Sequence, residues 1–300
     1  MFVEVDRDIG SDLAEFAPDV VITSRPGLFM RVYPLVQGFG VPVVYLAHDL
    51  HFVRVGLGER LAGAGSRASQ VMRTIEKLCF ERADLSVLPT QEEVLRVAAE
   101  FPTARCVSMD YFAMPGRAAP VAPPPGATLA FVGSAAHGPN LDGITWFVTE
   151  VWPAVIARTP TARLTVCGVW PEASRSVATG VDYVGPVSDD ALDALLAAAR
   201  VGIAPLRFGA GMKRKTLHYL SLGLPTVGTG FAVEGLRSPD GTTPGVVTAE
   251  TAEQWRDALE LLDDDARWME LSRAGVEFVR DRFSSVRYLD GLAGVLASLR

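Results

Sequence analysis

The chain has 300 residues, with 28 Lys and Arg against 35 Asp and Glu, a formal net charge of −7. Hydrophobic residues make up 49% and charged residues 21%, which is enough apolar material for one or two packed cores and too much for a disordered chain. The acidic balance argues against a nucleic-acid binder and against electrostatic docking on anionic lipid, both of which draw on a basic surplus.

No run of about 18 apolar residues occurs, so no transmembrane helix is predicted. The first ten residues are acidic and lack the apolar stretch of a signal peptide. Cys79, Cys106 and Cys167 are scattered and odd in number, and read as small buried hydrophobes of a reducing compartment. These features predict a cytoplasmic enzyme of one or two domains.

In chain order, the β-branched runs at 19–23, 41–46 and 83–88 predict buried strands, and 106–109 a fourth. Helical patterns lie between them, for example over 65–81. Thr90 is placed to cap a helix, with Glu93 closing a capping box. Residues 115–127 then hold five of the 20 prolines and two glycines, which excludes helix or central strand and reads as a semi-rigid linker. After it, strands are predicted at 129–133, 164–168, 181–184, 201–205 and 225–228. The helix from Asp189 to Arg200 starts at Ser188 and carries a Leu192, Leu195, Leu196, Ala199 stripe suited to a sheet. Residues 252–300 read as helical throughout, with a helix junction at the acidic Asp263-Asp264-Asp265.

Strand–helix alternation of this kind predicts an α/β fold with parallel sheets and helices on both faces. The division is a Rossmann-like domain over 1–115, a linker over 116–127, a second Rossmann-like domain over 128–280, and a C-terminal helix over 281–300 packing back on the first domain. Ligands of open parallel sheets bind beyond the carboxyl ends of the strands. Candidate site residues are therefore sought just after each strand.

The richest such segment runs from Ala204 to Pro225. A strand ends, Gly209 and Gly211 form a Gly-x-Gly loop, and a helix opens with Lys213, Arg214 and Lys215. Free amides at a helix start and full cationic charges suit a diphosphate. His218 follows Lys215 by three residues and shares its helix face.

The whole segment resembles the nucleotide-sugar signature of family 4 retaining glycosyltransferases, which have the glycosyltransferase-B fold. Their pattern is a strand with Pro, then G-G-G-x-R-x-K-x-x-E, then G-x-P-V-V. Gly209, Gly211, Lys213, Lys215, Gly223, Pro225 and Val227 fall in register with it. Phe131-Val132-Gly133-Ser134 with His137 and Asn140 looks like the opening strand and loop of the family's donor domain. Val184-Gly185-Pro186-Val187 resembles the strand end whose backbone reads the nucleotide base. Val233-Glu234-Gly235-Leu236 resembles a further donor-domain loop. His48-Asp49-Leu50-His51-Phe52 followed by Arg54 looks like a segment of one branch of the family.

The resemblance implies two Rossmann-like domains facing across a cleft, the N-terminal one on the acceptor side and shortened at its start. It implies retaining transfer from a nucleoside diphosphate sugar to a carbohydrate or lipid-linked acceptor, with no metal and no cofactor beyond the donor. Lys213 and Lys215 would neutralise the diphosphate, and His51, or else His48, would orient or polarise the donor sugar. Gly133, Ser134, Asn140, Gly185, Val187, Arg207, Gly209, Gly211, His218 and Glu234 would complete the donor site. His218 stands where the family has the Glu that grips the ribose hydroxyls. An imidazole offers one acceptor and one donor where a carboxylate accepts twice. Two other functions stay open, a degenerate nucleotide-sugar-binding or scaffolding protein and a nucleotide-sugar epimerase on the same fold. Peripheral contact with the inner face of the membrane also stays open, as does the oligomeric state.

Asp6-Arg7-Asp8 is a D-x-D pair of the type that holds a metal in another glycosyltransferase architecture, but a solvated turn is the preferred reading. No nucleophile elbow, Walker-type phosphate loop or dinucleotide fingerprint is present. Tyr33, Trp146 and Trp152 lie in helical apolar patterns and read as core.

Overall fold

A computed structural model describes residues 9–238 and 240–299, so Asp6-Arg7-Asp8 lies outside the described residues. The elements run α1 (Ile9–Phe16), β1 (Val21–Ser24), α2 (Pro26–Val36), β2 (Val43–Leu46), α3 (His51–Leu61), α4 (Arg67–Arg82), β3 (Leu85–Leu88), α5 (Gln91–Glu100), β4 (Cys106–Ser108), β5 (Thr128–Val132), α6 (Gly138–Trp146), α7 (Trp152–Arg158), β6 (Arg163–Cys167), β7 (Val181–Gly185), α8 (Asp189–Ala197), β8 (Val201–Ala204), α9 (Arg214–Ser221), β9 (Thr226–Gly228), β10 (Val246–Thr248), α10 (Ala252–Ala258), α11 (Asp265–Arg282) and α12 (Ser285–Ala297).

The chain divides into two compact units. Unit 1 runs to Tyr111 and resumes at Val286, and unit 2 is Phe112–Ser285. Unit 1 holds a parallel sheet in the order β1-β2-β3-β4. One face packs Tyr45 and Leu88 against Phe29 of α2 and Cys79 and Phe80 of α4. On the other face Val44, Leu85 and Val87 pack with Val295 of α12, so the last helix belongs to this unit. Thr90 caps α5 by accepting from the Glu93 amide at 3.1 Å. The capping box is not closed, because the Glu93 carboxylate accepts from the Thr90 hydroxyl instead.

Unit 2 holds a parallel sheet in the order β10-β9-β8-β5-β6-β7. The chain builds outward from β5 through β6 to β7, then returns to the opposite side of β5 with β8. The strand order therefore reverses between β5 and β8, which is where the ligand crevice of an open parallel sheet lies, beyond the carboxyl ends. Ser188 caps α8, accepting from the Ala191 amide, and Leu196 and Ala199 pack on Ala130 and Tyr219. The opposite face buries Phe131, Trp152, Ile203 and Trp255 in the larger core. Each such side chain contributes about 1.5–3 kcal/mol by leaving water.

The proline-rich segment lies on unit 2. Arg117 pairs with Asp193, the Pro124 carbonyl accepts from Arg200, and Met114 donates its amide to Phe283. The tail breaks at the acidic run, as the sequence predicts. Asp264 caps α11 by accepting from the Arg267 amide at 2.9 Å, so the acidic run ends one helical stretch and starts the next. Cys79, Cys106 and Cys167 are free thiols. Among the described residues, no helix is long and apolar enough to cross a membrane.

Candidate functional site

The loops after β5 and β8 form the crevice of unit 2. Gly143 of α6 lies so close to the Pro205 carbonyl that any side chain there would strike it, which locks α6 to the end of β8. Glycine is also required at 133, where a Cβ would sit 2.6 Å from Asn140 Nδ2 and 2.8 Å from its Cγ. Asn140 is 5% exposed and donates through Nδ2 to the Ser134 carbonyl at 3.1 Å. This bond folds the loop after β5 back onto α6.

Lys215 reaches this loop from α9. Its Nζ donates to Asn140 Oδ1 at 2.6 Å and rests 3.8 Å from the centre of the Phe131 ring. A cation over an aromatic face is stabilised, but far less than by water. Loss of solvent, with the Lys213 charge next in weight, pushes the Lys215 ammonium pKa well below the ordinary lysine range. Among the described residues Lys215 has no carboxylate partner.

Lys213 behaves differently. It is 8% exposed, and its Nζ donates to the carbonyls of Ala210 (3.0 Å) and Gly211 (2.7 Å) and to Glu234 Oε2 (2.7 Å). All three ammonium protons are committed, and they hold the Gly209–Gly211 loop in shape. Gly211 has φ +72°, the left-handed region that glycine enters without strain. The amides of the first turn of α9 add the partial positive charge of a helix start.

A row of glycines continues along the strand ends. The Gly133 carbonyl accepts from Trp170 Nε1 at 2.7 Å, and a side chain at Gly168 would strike that same carbonyl. Gly168 in turn donates its amide to the Gly185 carbonyl at 2.9 Å. Gly133 and Gly168 are thus packed against Asn140 and the Gly133 carbonyl at the ends of β5 and β6, whereas Gly185 at the end of β7 has open space where a side chain would stand, with Val187 (40% exposed) just beyond. Ser134 accepts through Oγ from the Ala136 amide and donates to the Val169 carbonyl.

Two predicted residues are engaged elsewhere. Arg207 forms a two-pronged pair with Asp142 and lies over the Trp146 ring, so its charge is already matched. His218 does not follow Lys215 into the crevice. Its Nε2 pairs with Asp193 of α8 at 2.7 Å, and Asp193 also holds Arg117. The helical offset of three residues turns Lys215 toward α6 and His218 toward α8.

His48 and His51 lie in unit 1, after β2. The His48 ring meets Tyr111 edge-on at 5.6 Å. His51 opens α3, where the fully buried Glu76 of α4 accepts from the His51 amide (3.0 Å) and the Phe52 amide (2.7 Å). His51 Nδ1 lies 3.1 Å from Glu76 and 3.2 Å from Asp49, and Asp49 also holds Arg54. Burial opposes charge on the ring, but the Glu76 hydrogen bond and the Asp49 and Glu76 charges outweigh it and raise the His51 pKa.

Sequence reasoning missed Glu76, Asp142 and Asp193 as partners. Glu76 did leave a signal, as the one carboxylate in the Met72, Glu76, Cys79, Phe80 stripe of α4. Among the described residues, no group of three His, Cys, Asp or Glu is placed to hold a metal ion.

Residues 126–265 match the family described as glycosyl transferases group 1. A protein of Klebsiella pneumoniae, named as an uncharacterized 44.6 kDa protein in the cps region, is 28% identical over 114 residues, covering 35% of this chain and 29% of that protein. A TarM variant of S. aureus, solved with fondaparinux, α-GlcNAc-glycerol and UDP, aligns with a TM-score of 0.73 at 12% identity, covering 95% of this chain and 57% of that one. HepE of Anabaena, solved with UDP-glucose, aligns with a TM-score of 0.68 at 12% identity, covering 97% of this chain and 82% of that one. The chain thus spans little more than half of the length of TarM and less than a third of the Klebsiella relative. The fold of the chain is that of the glycosyltransferase-B proteins, and its second unit carries the match to the glycosyl transferases group 1 family.

Proposed function

We propose that the protein transfers a glycosyl group from a nucleoside diphosphate sugar to a carbohydrate or lipid-linked acceptor. Transfer proceeds with retention and without a metal ion, and unit 2 binds the donor. The observation that carries this reading is the Lys215 ammonium. It is desolvated, lacks a carboxylate partner among the described residues, and sits at the strand ends beside a glycine-shaped loop and a helix start. A diphosphate satisfies every one of these features. UDP bound in TarM and UDP-glucose bound in HepE, which share this fold, support the same donor class.

Breaking the bond between the sugar and the diphosphate leaves extra negative charge on the departing nucleotide. Lys215 and the α9 amides are fixed in advance where that charge develops, which is the usual source of large rate effects. Lys213 keeps the loop in the shape that admits the phosphates. Gly185, with open space where a side chain would stand, leaves room for the nucleotide at the end of β7. His51 and His48 are assigned to unit 1 as the groups that orient the sugar, on the strength of the resemblance.

The test is turnover. The purified protein is incubated with a panel of nucleoside diphosphate sugars and acceptor glycans, and nucleoside diphosphate release is followed. Release that persists in excess chelator, with an NMR-assigned product anomer matching the donor, supports the full reading. Binding of no nucleoside diphosphate refutes it. Release with an altered free sugar and no acceptor product replaces transfer with epimerisation.

A further inference from the structure

The two lysines of the crevice are built to opposite designs. Lys213 is held by a carboxylate and two carbonyls, whereas Lys215 is held by an amide oxygen and an aromatic ring. We propose that Asn140 is a positioning residue, which fixes the Lys215 ammonium over the Phe131 ring with a neutral acceptor so that its charge stays free for the donor diphosphate. This rests on the donor reading above.

The geometry supports the assignment from three sides. Asn140 is itself fixed, by its own amide to the His137 carbonyl at 2.8 Å and by Nδ2 to the Ser134 carbonyl. The Gly133 backbone closes its third side. With Nδ2 committed as a donor, the amide can offer Lys215 only its oxygen. One bond and one ring contact leave the ammonium with donors to spare. An aspartate at 140 would be nearly the same size but would neutralise the lysine and compete with a phosphate.

The charges around Lys215 fit this arrangement. From α9, Lys213 faces it with like charge, and that charge is shared with Glu234. From α6, Asp142 is occupied by Arg207. His218, the next titratable group on α9, is taken by Asp193. The nearby carboxylates are thus each matched to another cation, and Lys215 is left beside a neutral amide. An anion arriving at Lys215 favours its charged form, so donor binding takes up a proton wherever free Lys215 is uncharged.

The test uses the intact protein. Competitive acetylation from about pH 6 to about pH 11, a range that brackets ordinary and depressed lysines, gives the Lys215 titration midpoint by mass spectrometry. Calorimetry with UDP over the same range gives affinity and proton uptake. Asn140→Asp is expected to raise the midpoint by more than about one pH unit, as a new opposite charge at this distance does. It is expected to weaken UDP by about tenfold or more. Asn140→Ala is expected to weaken UDP without raising the midpoint. A purely structural Asn140 would lower the melting temperature in both variants and leave the midpoint in place, and that result overturns the proposal. Failure of the unsubstituted protein to bind UDP or any other nucleoside diphosphate would refute the donor reading instead, while the midpoints still decide what Asn140 does to Lys215.

Discussion

A methyl group added at Gly133 tests how tightly the crevice is built. Its Cβ would lie 2.6 Å from Asn140 Nδ2, 2.8 Å from Asn140 Cγ and 3.1 Å from Phe131 Cε1. Real Cβ atoms essentially never approach a neighbour closer than 3.0 Å, so the Asn140 side chain must give way by at least a few tenths of an ångström. It has nowhere to go, because it is 5% exposed and tied to both Ser134 and Lys215. Overpacking of this kind costs about 1–3 kcal/mol. In a unit of this size each kcal/mol lowers the melting temperature by about 2–4 °C, so Gly133→Ala should melt about 2–12 °C lower. Gly138 supplies the control, because its Cβ would meet only Phe208 at 3.6 Å, an ordinary contact. Gly138→Ala removes unfolded-state freedom and should be neutral or stabilising by about 0.4–1 kcal/mol. Calorimetric melting of the two variants beside the parent measures both. Equal melting of Gly133→Ala and Gly138→Ala would refute the packing argument.

Two further predictions concern unit 1. Glu76→Gln replaces one carboxylate oxygen with a donor, leaving the His51 or Phe52 amide without an acceptor at the start of α3. It should cost about 1–3 kcal/mol in urea unfolding, and a change below about 0.5 kcal/mol would count against the capping role. The His51 pKa is raised in the fold, so its contribution to stability is fully present below about pH 6.5, the unfolded value. That contribution is lost as pH rises through the higher folded value. Unit 1 should therefore weaken across that window, and His51→Gln should flatten the curve. An unchanged slope in the variant would assign the pH dependence elsewhere.

Much of this fold was legible in the sequence, because buried parallel strands write themselves as short β-branched runs. The runs at 41–46, 83–88 and 201–205 each carry a strand. β10 was not legible, since three residues after Gly245 give no period to read. At the candidate site, the Gly-x-Gly loop and its cations were visible because they are contiguous. Their partners were not. Asn140 and Lys215 are 75 residues apart, and only the return of β8 to the side of β5 brings them together. His218 shows the same limit from the other direction. Helical spacing placed it beside Lys215, but Asp193 draws it to α8, and nothing local in the sequence announces that pair.

The central claim is that the Lys215 end of unit 2 binds a nucleoside diphosphate. Calorimetric titration of UDP into the purified protein and into Lys215→Ala tests it most directly. Removing one charged partner from a buried pair typically costs 2–5 kcal/mol, so the variant should bind about a hundredfold more weakly or not at all while melting like the parent. Equal UDP affinity in the two proteins would contradict the account.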